Sequence, residues 1–271
     1  SMLVAFNNFL QENHRYYSDS LRYLFASGET LTSQLSNRTY SLSKSKNFSL
    51  HNLYGPTECT IDISYFHCRP YEEVTIGKPI NNVRFYVVDS NTKPVPIGVI
   101  GELYVGGAGL ARGYLNRPDL TKERFVNNPF ATKEDKIKGY TRLYKTGDLV
   151  KWLPDGNIQY VGRNDFQVKM RGYRIELTEI EKCLASYAGI KHAIVLLKER
   201  KSIIDSDLSV HKFLLAYYVA DYSINEELLI AYLSKHLPDF MIPNIFMPLK
   251  KLPLTATGKL DRHALPEPQL T

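Results

Sequence analysis

The chain has 271 residues, enough for one large or two modest domains with a real hydrophobic core. Hydrophobic residues make up 44% and charged residues 23%, which are ordinary values for a globular protein and argue against wholesale disorder. The net charge is +6, but Lys and Arg are scattered apart from residues 198–201, so nucleic acid is not an expected ligand.

The cysteines and histidines exclude two common kinds of site. Cys59, Cys68 and Cys183 are an odd number without CxxC spacing, which predicts free thiols in a reducing compartment. The seven histidines lack ligand spacing, so no zinc site is expected. No apolar run approaches the roughly 18 residues of a membrane span, and the first residues do not resemble a signal peptide. We therefore expect a cytoplasmic protein without a membrane partner.

Residues 1–80 show the pattern of part of an α/β sheet. Apolar residues at helical spacing predict a helix over residues 3–14, and Gly28-Glu29-Thr30 predicts a turn into a second helix. Gly55-Pro56 forms a forced turn after a strand. The predicted strands are residues 21–25, 48–54 and 61–66.

Residues 81–164 alternate between short strands and glycine or proline turns, which favours a small β-barrel or a distorted sheet. The turn Leu153-Pro154-Asp155-Gly156 has the residue types that a hairpin requires, because Pro fixes φ, Asp caps and Gly takes a positive φ. The predicted strands are residues 83–89, 102–105, 143–146, 149–153 and 157–161.

After residue 164 the pattern changes to a compact α+β domain over 165–271. The first helix, 177–187, is predicted to begin with a capping box of Thr178 and Glu181. The predicted strands are residues 166–170, 173–175, 190–197 and 213–219, and a second helix covers 225–236.

The first motif, Asn52-Leu53-Tyr54-Gly55-Pro56-Thr57-Glu58, ends a strand at the carboxyl edge of the sheet, where ligands bind in α/β proteins. There an aromatic ring can cover a purine, a hydroxyl can reach a phosphate and a carboxylate can hold Mg²⁺. The alternative is a structural turn with a solvated Glu58.

The second motif is the glycine-rich segment of residues 101–114, Gly-Glu-Leu-Tyr-Val-Gly-Gly-Ala-Gly-Leu-Ala-Arg-Gly-Tyr. Its glycines allow close backbone approach, so a phosphate cradle is conceivable. No helix clearly follows the glycines and no Lys-Ser/Thr pair ends them, which favours a purely structural segment.

The third motif, Tyr144-Lys145-Thr146-Gly147-Asp148-Leu149, is followed fifteen residues after Asp148 by Arg163. A carboxylate at a strand end suits ribose hydroxyls, as in dinucleotide sites. The alternative is a turn aspartate paired with an arginine.

The fourth motif spans residues 252–262, Leu-Pro-Leu-Thr-Ala-Thr-Gly-Lys-Leu-Asp-Arg. A lysine on a loop of small residues can reach a developing negative charge, and stabilisation of such charge is often the largest catalytic contribution. The alternative is a solvated loop lysine.

In this order the four motifs closely resemble the adenylate-forming superfamily, and specifically the amino-acid adenylation domains of nonribosomal peptide synthetases. The resemblance extends over nearly the whole chain, including residues 116–121, 123–125, 162–176 and 237–243. Acyl-CoA synthetases and luciferases share some elements, but the ending at residues 252–262 resembles the peptide-synthetase branch. Residues 265–268 resemble the linker that precedes a carrier domain.

The resemblance implies a role for each matching residue. Lys259 would bridge the amino-acid carboxylate and the phosphate, and Lys169 and Gly172 would lie in the loop that faces the site during thiolation; Lys259 and Lys169 are the implied catalytic residues. Asp165 would be the hinge about which the small domain rotates. The implied nucleotide-binding residues are Asn52, Tyr54, Gly55, Thr57, Asp148, Arg163 and Lys259, with Glu58 as the Mg²⁺ ligand.

The resemblance also implies a substrate pocket lined by Phe25, Ser27, Leu53, Ile61 and Asp62. A buried carboxylate needs a partner, so Asp62 would favour a cationic or hydrogen-bonding side chain. The alternative is that neighbouring donors satisfy Asp62 and that it selects nothing.

The implied reaction activates an amino acid with ATP and Mg²⁺ as the aminoacyl-AMP and passes it to the pantetheine thiol of a carrier domain in the same chain. A small accessory protein is kept as a further candidate partner. The family's phosphate loop and amine-binding aspartate have no match, so we expect a truncated C-terminal half that binds ATP poorly and activates nothing by itself. The expected domains are a remnant of the large core over 1–164 and a small lid domain over 165–271. The alternatives are part of an aryl or fatty acyl-CoA ligase and a non-catalytic carrier-docking module.

Overall fold

The computed structural model describes residues 2–204, 207–255 and 260–268 of the chain. The chain divides into two compact units, Ser1–Asp165 and Phe166–Thr271. Among the described residues, no helix has both the length and the hydropathy that crossing a bilayer requires. The cysteines are free thiols.

The first unit begins with a four-stranded mixed sheet and two helices. The helices are α1 (Met2–Glu12) and α2 (Ser33–Ser41), and the strands are β1 (Tyr23–Ala26), β2 (Ser49–Tyr54), β3 (Ser64–Cys68) and β4 (Lys78–Pro79). The strands are ordered β1-β2-β3-β4, with β1 and β2 parallel and the others antiparallel. The side chain of Thr32 accepts a hydrogen bond from the amide of Leu35 and so fixes the start of α2. Leu50 and Cys68 pack with residues of both helices.

The second part of the first unit is an antiparallel five-stranded sheet with two short helices. The strand order is β5-β6-β8-β7, and β9 pairs with residues 148–152 of β8. Its core includes Tyr54 at the end of β2 and Ile63 just before β3, so both sheets share one hydrophobic cluster. The elements are β5 (Val83–Val88), β6 (Gly101–Gly107), α3 (Pro118–Arg124), β7 (Phe125–Asn127), α4 (Lys133–Ile137), β8 (Arg142–Trp152) and β9 (Ile158–Arg163).

The second unit is an α+β domain with a three-stranded sheet of order β12-β13-β14. One face of this sheet packs on the helices, and Leu265 of the C-terminal segment is buried against the other. The elements are β10 (Gln167–Met170), β11 (Tyr173–Glu176), α5 (Leu177–Ala185), β12 (Ile190–Ile204), β13 (Asp207–Ala220), α6 (Glu226–Leu233) and β14 (Ile245–Pro248).

The predicted fold class, an α/β core followed by an α+β domain, is confirmed, but some local predictions are wrong. The strand predicted over residues 61–66 begins only at Ser64, because Thr60 and Ile61 adopt positive φ angles of 63° and 69°. The two strands predicted over 143–153 are one strand, β8, with a bulge.

The predicted capping box at the start of α5 is also wrong. The N-cap is Glu176, whose side chain makes no capping hydrogen bond. Glu181 instead accepts a hydrogen bond from the amide of Val195 at 3.0 Å. A tertiary partner on β12 therefore replaces the local one, and burial raises the pKa of Glu181.

Candidate functional site

Asp148 lies at an irregularity in the middle of β8. Gly147 has φ = 75°, a conformation that glycine adopts at low cost, and the register shifts just beyond it. The hydroxyl of Thr146 donates to the carbonyl of Leu103 at 2.7 Å and accepts from the amide of Asp148 at 3.0 Å. These hydrogen bonds fix the backbone at Asp148, whose side chain is buried.

Arg163 lies opposite Asp148 on β9 and binds two carboxylates. Its Nη1 donates to Oδ1 of Asp148 at 2.6 Å, and its Nε and Nη2 donate to Asp165 at 2.6 and 2.7 Å. Burial lowers the pKa of the guanidinium, but the hydrogen bonds and charges of Asp165 and Asp148 outweigh burial and raise it. Arg163 therefore stays charged. It lies beside Asp148, as predicted, and it also binds Asp165.

Tyr54 connects the first motif to the third. It ends β2, its side chain is buried, and its hydroxyl donates a hydrogen bond to Oδ2 of Asp148. Burial and then the charge of Asp148 raise the pKa of Tyr54 well above 10.0. Two residues 94 positions apart thus meet where the two sheets of the first unit join.

Glu58 follows the tight turn at Gly55. A Cβ on Gly55 would lie 1.9 Å from the carbonyl oxygen of Ile61, so only glycine fits there. Glu58 is buried, and its Oε1 accepts a hydrogen bond from the hydroxyl of Tyr114 at 2.6 Å, whereas Thr57 is exposed. Glu58 is therefore held in place by a partner and is not the solvated turn residue of the alternative.

Asn52 points away from this group. Its side-chain amide is buried and donates to the backbone carbonyl of Thr75 at 2.7 Å. The structure therefore does not bring its side chain together with Tyr54 and Asp148, and a backbone partner accounts for its burial.

Of the five residues predicted to line a substrate pocket, Phe25 lies on β1, Ser27 directly after it, and Leu53 on β2, whereas Ile61 and Asp62 lie in the turn before β3. The hydroxyl of Ser27 donates to Oδ1 of Asp62 at 2.7 Å. Phe25 and Ile61 are 61% and 72% exposed, and Leu53 is half-buried. The structure thus brings Ser27 and Asp62 together, and it also gives Asp62 the neighbouring donor of the alternative interpretation.

The second unit holds the predicted thiolation loop. Arg171 and Gly172 have φ angles of 53° and 82° and form the two-residue turn between β10 and β11, the conformation of a type I′ hairpin. Lys169 lies opposite Arg174 in this hairpin and is half-buried. Lys259 lies outside the described residues.

Two residues of the glycine-rich segment contact the site, although the sequence favours a purely structural role for that segment. Tyr114 binds Glu58, and Glu102 accepts hydrogen bonds from the amide of Gly147 at 3.1 Å and from Nδ2 of Asn164 at 2.9 Å. The sequence holds a signal for these contacts in the two polar residues near the ends of the segment, Glu102 and Tyr114. A segment that only lets the backbone approach closely would not need them.

The donor set fits a magnesium ion that arrives with a nucleotide. Within residues 2–204, 207–255 and 260–268, no cluster of three or more His, Cys, Asp or Glu side chains could hold a metal. Mg²⁺ is commonly bound by one or two carboxylates together with substrate phosphates. Glu58 supplies one such carboxylate, so the residues present fit this mode of binding.

Comparisons with known proteins identify the relatives of this chain. The model of the family described as AMP-binding enzyme matches residues 1–115. The chain is 48% identical over 254 residues to a mycosubtilin synthase protein of Bacillus subtilis and 46% identical over 265 residues to tyrocidine synthase 3 of Brevibacillus parabrevis. These alignments cover 92% and 97% of the chain.

A solved structure extends the similarity to the fold. The holo form of PA1221, a nonribosomal peptide synthetase protein containing adenylation and carrier (PCP) domains, aligns with a TM-score of 0.73 and 29% identity over 90% of the chain. The chain spans 40% of the length of that structure, and 9% and 4% of the lengths of the two synthetases. The chain belongs to the adenylation domains of nonribosomal peptide synthetases, within the AMP-binding enzymes, and corresponds to a part of such a domain.

Proposed function

We propose that the chain is the C-terminal half of a unit that activates an amino acid with ATP and transfers it to the phosphopantetheine thiol of a carrier domain. The observation that carries the proposal is the buried Asp148, held by Tyr54 and Arg163. A carboxylate has about four acceptor positions, and these two contacts use two of them. The remaining acceptor positions of Asp148 suit hydrogen bonds from two vicinal hydroxyls, such as those of ribose.

Glu58 is the proposed ligand of Mg²⁺ in this site. When bound, the ion neutralises charge on the nucleotide phosphates. The contribution of the chain is a carboxylate that burial and the hydroxyl of Tyr114 keep in one position. The exposed hydroxyl of Thr57 is proposed to meet the α-phosphate, beside the close turn at Gly55.

The second unit is proposed to act as the lid domain, with Asp165 as the hinge residue. Asp165 is the last residue of the first unit, which supports this role. Lys259 is proposed to offset the charge that develops when the amino-acid carboxylate attacks the α-phosphate. Lys169 and Gly172, which lie on one hairpin, are proposed to face the site in the thiolation step.

The substrate class follows from the pair of Ser27 and Asp62. We propose that Asp62 selects a side chain that carries a cation or a hydrogen-bond donor, with Phe25, Leu53 and Ile61 around it. The hydroxyl of Ser27 occupies one acceptor position of the carboxylate and leaves others for a ligand. The proposed carrier partner is supported by PA1221, whose solved structure contains adenylation and carrier domains.

The test is ATP–pyrophosphate exchange by the complete adenylation domain that carries this segment, measured with each amino acid and with matching carboxylates that lack the α-amine. We expect exchange with an amino acid only. Exchange with the amine-free carboxylates alone would overturn the assignment in favour of an acyl-CoA ligase. The 271-residue chain is expected to give no exchange in the same assay.

Two substitutions localise the activity. Asp148→Asn keeps the shape of the side chain but removes its charge, so we expect a raised KM for ATP. The variant should still fold, because Asp165 continues to pair with the guanidinium of Arg163. Lys259→Ala is expected to lower kcat for adenylation by about 10²-fold or more, the size typical of losing one charge-stabilising group. Lys250→Ala, on an exposed lysine nearby in the sequence, is the control. Unchanged adenylation in the Lys259 variant would remove its catalytic role.

A further inference from the structure

We infer that Glu102 is a positioning residue, which fixes both the turn that carries Asp148 and the last residues of the first unit. Only the expected effect on KM for ATP rests on the proposed function. The set formed by Glu102, Gly147 and Asn164 is called the Glu102 bridge below.

The Glu102 bridge uses both carboxylate oxygens of a half-buried side chain on β6. Oε1 accepts from the amide of Gly147 at 3.1 Å, and Oε2 accepts from Nδ2 of Asn164 at 2.9 Å. The amide of Asn164 in turn donates to the carbonyl of Gly147 at 3.0 Å. Hydrogen bonds to an ionised acceptor are about twice as strong as neutral ones. Three segments far apart in sequence are therefore joined in one closed set of hydrogen bonds.

The residues after β9 lie directly over Gly147. A Cβ on Gly147 would lie 2.7 Å from Nη2 of Arg163 and 2.8 Å from Oδ2 of Asp165. There is thus no room for a side chain between the turn and the ion pair of Arg163 and Asp165. Glu102 binds the amide of Gly147 and the side chain of Asn164, so it acts on Asp148 and Asp165 through the residues next to them.

If Glu102 acts through its hydrogen bonds, the effect of each substitution should depend on how many of these bonds it removes. Glu102→Ala removes both acceptors. Glu102→Gln keeps one oxygen for Gly147, and its amide can donate to Oδ1 of Asn164 after that side chain rotates. Asn164→Ala removes only the hydrogen bond from Nδ2 of Asn164 to Oε2 of Glu102. Glu12→Ala, which removes an exposed carboxylate at the end of α1, is the matched control.

The test is amide hydrogen exchange of the 271-residue chain, read at Gly147 and Asn164, with Leu50 in the core of the first sheet as the internal reference. We expect Glu102→Ala to speed exchange at Gly147 by about tenfold or more, the size expected for losing a charge-assisted hydrogen bond. Glu102→Gln and Glu12→Ala should stay within about threefold of the parent at both sites. Equal rates for Glu102→Ala and the parent, or an equal rise at Leu50, would overturn the inference.

A second measurement connects the Glu102 bridge to nucleotide use. In the complete adenylation domain, Glu102→Ala is expected to raise KM for ATP more than it lowers kcat, and Glu102→Gln should restore KM. Restoration by Gln would not be expected if the loss were one of charge alone. Should the exchange result hold while Asp148→Asn leaves KM for ATP unchanged, the proposed function fails and the positioning role of Glu102 stands.

Discussion

The guanidinium of Arg163 donates to the carboxylate of Asp148 across the β8–β9 pair at 2.6 Å. The side chain of Arg163 is only 12% exposed, and that of Asp148 is 8% exposed. Removing one partner of such a buried pair leaves an uncompensated charge, which typically costs about 3–5 kcal/mol.

Arg163→Ala is therefore expected to lower the free energy of unfolding of the first unit by about 3 kcal/mol. Urea unfolding followed by circular dichroism would measure the change. Arg69→Ala is the control, because Arg69 pairs with Glu72 on the surface and such pairs contribute about 0–1 kcal/mol. Similar losses in both variants would contradict the structural role of Arg163.

Gly147→Ala tests the close packing over the turn. At φ = 75° an alanine is strained by about 1–2 kcal/mol, and the new Cβ would also press on Arg163. Gly28→Ala is the matched control, because Gly28 has φ = 87° and nothing within 4 Å of the position of a Cβ. Thermal unfolding should therefore show a larger loss for Gly147→Ala. An equal loss would mean that backbone strain alone operates.

Tyr114→Phe tests the contact with Glu58. The change removes the hydroxyl that donates to Glu58 at 2.6 Å, and losing a donor to a buried charge costs about 1–3 kcal/mol. The first unit should lose stability by this amount in urea unfolding. Tyr71→Phe, at a tyrosine that is 89% exposed, should leave stability within about 0.5 kcal/mol. The hypothesis fails if the two variants are indistinguishable.

Two tyrosines, the buried Tyr17 and the half-buried Tyr160, should make the protein less stable at alkaline pH. Burial raises the pKa of Tyr17 and of Tyr160 from 10.0 to about 12. The unfolded state then loses these protons first, so their stabilising contribution is complete below about pH 10 and is lost as the pH rises towards about 12. Tyr160→Phe should reduce the slope of stability against pH in this window, whereas Tyr71→Phe should not. Equal slopes would contradict the assignment.

Leu265→Ala tests the packing in the second unit of the C-terminal segment on the sheet face that lies opposite the helices. Leu265 is buried there, and the hydroxyl of Tyr217 donates to the carbonyl of Pro266 at 2.6 Å. The substitution should destabilise the second unit by about 2 kcal/mol or more, as for other large-to-small core changes. Leu254→Ala, at a leucine that is 60% exposed, is the control. Hydrogen exchange at β13 reads the difference, and unchanged exchange would contradict the packing role.

The sequence by itself determined several of the regular elements and indicated the family. Local sequence patterns predicted α1, β2, β5 and the two short strands β10 and β11, because the spacing of apolar residues and the turn residues decide those elements. The ordered motifs were enough to indicate an adenylation domain, since each keeps its residues close together in the chain.

Only the tertiary structure decided which of these residues meet. Tyr54 reaches Asp148 over 94 positions, Tyr114 reaches Glu58 over 56, and Glu102 reaches Asn164 over 62. The capping box at α5 failed for the same reason, because the carboxylate of Glu181 found a partner on β12. Polar side chains that are buried bind whichever partner the fold brings near, and spacing along the chain does not specify that partner.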